Sequence, residues 1–333
     1  MAEYYFDLPT KLTTDQQLAV DETKSIALFG GPGTGKTVVN LWRHIYNYEK
    51  GNKKSLLLTY TKTLEFYLRK CAQKKNILSS ENIDRIKRWT FNGNRGNFDE
   101  IIVDEAQDVE INRYHVINNH SKAVSYGADP DQSMYFTPEE TERLLKDLKE
   151  LFENKEYTLY KNFRNSKEIL IFTQATFPEI CIEQQTIDQA ISHNLPFVSV
   201  VGWELSYMID KIIEIINEYS SDTSNIGILV PTQNQVNSFY DLIKEKVECT
   251  KFQAEDETFT GLKNIHITTF KSAKGIEFDT VIIPKFDSYQ WFIDNTNVKM
   301  NEYYVALTRA KTNLFLVCVN EINNIDKSTY ETE

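Results

Sequence analysis

The sequence predicts an α/β protein with two parallel-sheet domains in tandem, and three observations carry that prediction. At 333 residues the chain is long for one domain and suits two of roughly 150 residues each. Short, nearly continuous apolar runs alternate with helical stretches in both halves, the pattern of parallel strands buried on both faces. The first apolar run feeds a glycine-rich turn and then a helix, the start of a β-loop-α phosphate-binding unit. A composition of 41% hydrophobic and 12% aromatic residues is enough to fill two cores.

In the first half the strands are read at SIALFG (25–30), SLLLTYT (55–61), EIIVDEA (100–106) and AVSYGAD (123–129). The helices TVVNLWRHIYNYEK and TLEFYLRKCAQKK separate the first three of them. A charged helix at 139–156 leads to a domain seam near 156–160, so the domains are drawn as 1–157 and 158–333. In the second half, strands are read at FVSVVG (197–202), NIGILVP (225–231), NIHITTF (264–270), TVIIPKF (280–286) and LFLVCV (314–319). ELSYMIDKIIEIINEY and NQVNSFYDLIKEKV carry the helical spacing between the first three.

Net charge is −11, which disfavours a polyanionic partner until its distribution is considered. Residues 50–95 hold 12 basic side chains and three acidic ones, running from Lys50, Lys53 and Lys54 to Arg85, Lys87, Arg88 and Arg95. Tyr60, Phe66, Tyr67, Trp89 and Phe91 are interleaved with them. Cations beside aromatic rings suit single-stranded nucleic acid, and the same composition suits a solvated lysine-rich face. The four cysteines are scattered, against a disulfide framework or a zinc or iron–sulfur site. No apolar run approaches a membrane span, and MAEYYFDLPTKL does not read as a signal peptide. A reducing cytoplasm is the expected setting, with no membrane partner.

The chemistry begins at GGPGTGKTVVN. Backbone N–H groups of Gly31, Gly33, Thr34 and Gly35 can close on phosphate oxygens at a helix N-terminus. Lys36 reaches the terminal phosphates, and the Thr37 hydroxyl is a ligand for Mg²⁺. IIVDEAQD (101–108) ends an apolar strand in Asp104, read as the second metal-side residue, and Glu105, read as the base that deprotonates the attacking water. These two motifs together imply hydrolysis of a nucleoside triphosphate.

Joined by other segments along the chain, the two motifs resemble superfamily 1 helicases of the UvrD/Rep/PcrA type, in order over nearly its whole length. The resemblance implies two RecA-like P-loop NTPase domains in tandem. LTTDQQLAV (12–20) resembles the adenine-recognising element, which implies that Gln16 hydrogen-bonds the base and favours ATP as the nucleotide. LLLTYTKT (56–63) resembles the strand-gripping segment, with Thr59, Tyr60, Thr61 and Lys62 in contact positions and Phe91 further along the same basic stretch. GADPDQSMY (127–135) resembles the coupling motif, in which Gln132 senses the γ-phosphate and Tyr135 faces the strand. LYKNFRNSKEI (159–169) implies that Phe163 stacks on adenine and Arg164 touches the γ-phosphate. ITTFKSAKGIEFDTVII (267–283) implies that Thr269 and Lys271 face nucleic acid while Gly275 and Glu277 face the nucleotide. YYVALTRA (303–310) implies that Arg309 is a second arginine finger, acting from the second domain on the phosphate held by the first.

The chain departs from that pattern in three places. About 40 residues separate TYTK from the acidic strand and about 35 separate ILVP from HITTF, so the large inserted subdomains of the family are expected to be absent or vestigial. The coupling motif continues FTPEET where the family has a tryptophan–arginine pair, leaving Phe136 as the replacement. Lys271 stands where a histidine is common. The expected function is an ATP-dependent translocase or helicase on single-stranded nucleic acid, DNA with 3′–5′ polarity by family. The alternative is a nucleic-acid-regulated ATPase subunit that docks a partner, such as a nuclease, and does not unwind by itself.

Overall fold

The computed structural model describes residues 3–6, 8–92, 96–252 and 261–333. Arg95 of the basic stretch lies outside the described residues. The chain forms two compact units. One is Phe6–Lys161; the other is Asn162–Glu333 together with the described residues 3–5.

The first unit is built on six parallel strands: β1 (Ile26–Gly30), β2 (Ser55–Thr59), β3 (Ile83–Arg85), β4 (Glu100–Val103), β5 (Val124–Ala128) and β6 (Lys155–Leu159). Their spatial order is β3-β2-β4-β5-β1-β6. Parallel neighbours need crossover connections: α2 (Lys36–Glu49) lies between β1 and β2 and α3 (Lys62–Gln73) between β2 and β3, while α1 (Thr14–Asp21) precedes β1. Leu56, Leu58, Ile101, Val103, Val124 and Tyr126 pack with Trp89, Phe98 and Leu148 in a core on one side of the sheet. Trp89, one of the aromatic residues interleaved with the basic stretch, is buried there. The boundary drawn at 157/158 falls inside β6, whose residues run in register with β1 from Lys155 beside Ile26 to Leu159 beside Gly30. The charged helix ends earlier than its charge pattern suggests, at Leu151, because Phe152 turns into the core.

The second unit carries seven strands: β7 (Phe197–Val200), β8 (Ile226–Val230), β9 (Thr250–Lys251), β10 (Ile265–Thr269), β11 (Phe278–Pro284), β12 (Ala310–Cys318) and β13 (Glu331–Thr332). The order is β13-β7-β12-β11-β8-β10-β9, again with parallel pairing throughout. Ile209, Ile212 and Ile216 of helix Leu205–Tyr219 pack with Ile228, Ile267, Ile282 and Phe315 of the sheet. Strand β12 starts four residues before the apolar run that announces it, shortly after helix Met300–Leu307. Arg309 therefore occupies a helix-to-strand joint.

The chain start is fastened to this second unit. The Tyr4 backbone N–H donates to Leu262 O at 2.8 Å, and Tyr5 exchanges two hydrogen bonds with the Asn225 side chain. Buried Tyr4 places its ring edge-on to Phe278 and donates its hydroxyl to the Glu277 carbonyl. Nothing in the local residue pattern of the first residues signals this pairing.

Candidate active site

In the first unit the loop after β1 and the tip of β4 form one connected polar cluster. Gly35 precedes α2 with φ of +89°, and a Cβ there would meet Gln16 Nε2 at 2.5 Å, so glycine is required twice over. Gln16 accepts from the Thr13 backbone N–H at 3.0 Å, caps α1, and donates Nε2 to Thr34 O at 3.1 Å. In this structure its amide therefore braces the glycine-rich loop. The Lys36 ammonium donates to Gly30 O at 2.7 Å, Gly31 O at 2.8 Å and Asp129 at 3.2 Å.

Thr37 donates its hydroxyl to Asp104 Oδ2 at 2.8 Å, and Asn40, one turn along α2, donates Nδ2 to Asp104 Oδ1 at 2.7 Å. Strand β5 separates β1 from β4, and Gly127 of β5 makes the reach feasible: a Cβ there would meet Asn40 Nδ2 at 2.5 Å. Burial, with the Glu105 charge beside it, pushes the Asp104 carboxyl up to about 6. Glu105 itself holds φ at +58°, a left-handed conformation costing a non-glycine residue about 1–3 kcal/mol. Gln107 fixes it by donating Nε2 to Glu105 Oε2 at 2.7 Å, while Gln107 Oε1 accepts the Asp129 N–H at 3.1 Å. Asp129 also accepts from Gln132 Nε2 at 2.7 Å. Lys36, Glu105 and Gln132 are thus linked through Asp129 and Gln107.

Of the strand-contact residues in this unit, Tyr60 and Tyr135 meet with ring centroids 4.8 Å apart, and the Lys87 ammonium lies 4.8 Å and 5.5 Å from the two rings. Phe91 is 89% exposed. Thr61 caps α3 by accepting the Leu64 N–H, Lys62 opens that helix half-buried, and Thr59 is fully buried, turned away from solvent. The basic stretch is partly neutralised from within. Glu65 pairs with Arg69 at 3.1 Å, Arg85 at 3.1 Å and Arg88 at 2.6 Å.

In the second unit the turn 162–165, the loop before β11 and the joint at Arg309 converge. Arg164 Nε donates to Glu277 Oε2 at 2.7 Å, and Lys311 pairs with the other Glu277 oxygen at 3.2 Å. Burial would raise the Glu277 carboxyl, but these two cations outweigh it and hold it at about 2. Buried Arg309 donates Nε to Val305 O at 3.0 Å and Nη1 towards Ile276 O at 3.5 Å. Both arginines therefore engage consecutive residues, 276 and 277, just after Gly275 with φ of +87°. Phe163 exposes its ring, 49% accessible. Thr269 donates to Ser272 Oγ at 2.9 Å, and Lys271 pairs with the buried Glu302 at 3.1 Å.

Asn40, Gln107, Asp129 and Lys311 belong to these clusters, as does Asn165, which donates to the carbonyls of Thr308 and Ala310, and the sequence motifs do not single them out. Asn40 left a usable signal, a polar residue three positions after Thr37 on the same helix face. Asp129 and Asn165 meet partners far along the chain, which spacing cannot disclose.

Residues 39–321 match the family model described as UvrD-like helicase C-terminal domain. A protein of Acanthamoeba polyphaga mimivirus described as "putative ATP-dependent DNA helicase" is 24% identical over 241 residues, 65% of this chain and 34% of that protein. The chain thus spans about a third of that relative's length. Among solved structures, the C-terminal domain of a "possible DNA helicase" from Lactobacillus plantarum WCFS1 aligns with a TM-score of 0.39 at 18% identity, covering 51% of this chain and 98% of that one. Arterivirus nonstructural protein 10 (helicase) aligns with a TM-score of 0.46 at 14% identity, covering 91% and 61%. With the family model running through most of both units, the chain belongs to the UvrD-like helicase family.

Proposed function

We propose that this chain hydrolyses ATP with Mg²⁺ and uses the cycle to move 3′ to 5′ along single-stranded DNA. The observation that carries this reading is the Thr37–Asp104 contact of 2.8 Å beside Glu105, at the strand end that faces the phosphate loop. Two hard oxygen donors, from a hydroxyl and a carboxylate, suit Mg²⁺. Thr37 and Asp104 would hold the ion, which would supply positive charge towards the phosphates of the nucleotide. Lys36 exchanges its two loop carbonyls for phosphate oxygens, and Glu105, held by Gln107, takes the proton of the attacking water. Gln132 senses the γ-phosphate through the Asp129 link to Lys36. Arg164 and Arg309 of the second unit bring guanidinium charge to the same triphosphate, and Phe163 and Gln16 cover its adenine. Tyr60 and Tyr135, with Lys87, give a base a flat cationic surface, aided by Phe91, Lys62, Thr269 and Lys271. Polarity and the choice of DNA rest on the family resemblance.

The internal pairing of Arg69, Arg85 and Arg88 with Glu65 favours a second reading. With fewer cations left for phosphates, the chain would act as an ATPase subunit of a larger assembly, with a nuclease among the candidate partners. Phosphate release measured without polymer, with single-stranded DNA and with single-stranded RNA separates the two. Strong stimulation by DNA supports the motor; high basal turnover that neither polymer changes rejects it. Stimulation by RNA alone would keep the mechanism and replace the substrate.

A further inference from the structure

Two arginines that act on one phosphate group must be held in register with each other, and the structure contains a side chain suited to that task. Asn165 follows Arg164 directly and is buried. Its Nδ2 donates to Thr308 O at 2.9 Å and to Ala310 O at 2.7 Å, the carbonyls on either side of Arg309. Its Oδ1 accepts from Asn162 Nδ2 at 3.3 Å. Asn162 in turn accepts the backbone N–H of Arg164 at 2.8 Å and of Asn165 at 2.9 Å through Oδ1. One residue further on, the Ser166 N–H donates to Lys311 O at 3.2 Å. The turn bearing Arg164 is thus fastened to the backbone bearing Arg309, a link between residues 143 and 145 positions apart.

We propose that Asn165 is a positioning residue that fixes the Arg164 turn against the Arg309 joint, so that both guanidinium groups reach the triphosphate together. This rests on the arginine roles given under the proposed function. Both N–H donors of the amide are on carbonyls and its oxygen accepts from an amide, so each of its polar atoms has a partner, as a buried asparagine requires. Serine retains one hydroxyl donor in place of two N–H donors, and alanine retains none. Loss of the clamp lets each arginine drift, and misplacement by about 1 Å can cost 10²-fold in rate.

The test is ATP turnover by Asn165→Ser and Asn165→Ala in the full chain, at a temperature where circular dichroism shows both folded. The expected order of kcat is Asn above Ser above Ala, with Ala down about 10²-fold and KM for ATP near wild type. In a background already carrying Arg164→Ala and Arg309→Ala, the same Asn165→Ala change should cost roughly threefold or less, because nothing remains to position. An unchanged kcat in Asn165→Ala, or an equal loss with and without the arginines, overturns the proposal. If Asn165→Ala does not fold, the Asn165→Ser comparison decides alone by the same two criteria. Full turnover in Arg164→Ala and Arg309→Ala would instead refute the arginine roles themselves, a failure visible without any Asn165 variant.

Discussion

The two units share an architecture and differ in how their candidate site is put together. In the first, the groups come from two short stretches, the loop and helix after β1 and the end of β4, with β5 between those strands. Thr37, Asp104 and Glu105 are already in contact or adjacent, with Asn40 and Gln107 fixing them. In the second, the cationic groups come from segments far apart in sequence, and each is engaged by its own unit: Arg164 by Glu277, Arg309 by Val305 and Ile276 carbonyls. On the proposed reading both units must give up resting contacts, Lys36 its loop carbonyls in the first and the two arginines their own partners in the second. Under the proposed function, catalysis would then require nucleotide to draw the guanidinium groups away from these resting partners.

The sharpest way to break the contrast is to remove a releasable arginine. Arg309→Ala should lower kcat by about 10³–10⁵-fold while ATP affinity stays close to wild type, as read by steady-state phosphate release and nucleotide titration. Equal turnover would make Arg309 a fold residue. Next, Glu105→Gln should cost about 10²–10⁴-fold in turnover and leave ATP bound, because the amide keeps the side chain's shape and its place beside Gln107. A variant that fails to bind ATP would assign Glu105 to binding.

Smaller effects test the strand surface and the resting arginine. Tyr60→Ala and Tyr135→Ala should each weaken single-stranded DNA binding by about 1–3 kcal/mol, measured by fluorescence anisotropy. Unaltered affinity would leave the ring pair a packing contact. Glu277, held at about 2 against an ordinary 4.5, contributes stability that is fully present above the ordinary value and is lost as pH falls from there through the folded value. The contribution is about 1–2 kcal/mol, discounted because the pair is partly exposed to solvent. Denaturant unfolding of wild type and Glu277→Gln at pH 7 and pH 3 should show the gap between them shrinking at the lower pH. A constant gap would mean the Arg164 and Lys311 contacts do not hold the charge.

The legibility of these features in sequence divides along the same line. The glycine-rich loop between β1 and α2, the acidic end of β4 and most strand positions are readable because each is a local pattern with a local physical cause. The two-sheet fold is readable for the same reason. Strands β3, β6, β9 and β13 are not, being short, edge-placed or polar; β6 reads KEYTL and is a strand because β1 offers it a partner. Composition suggests a cationic strip at 50–95, but only the fold shows that Glu65 gathers three of its arginines. The Asn165 clamp and the Tyr4 contact with Glu277 are beyond reach, since they join residues 143 and 273 positions apart.

The most direct measurement is a crystal structure of the full chain with a non-hydrolysable ATP analogue, Mg²⁺ and an oligonucleotide. The guanidinium groups of Arg164 and Arg309 are expected within about 3 Å of the γ-phosphate oxygens that Lys36 holds, with Arg164 released from Glu277 and Arg309 from the Val305 carbonyl. Nucleotide bound at Lys36 while both arginines keep their present partners would contradict catalysis by the two units together.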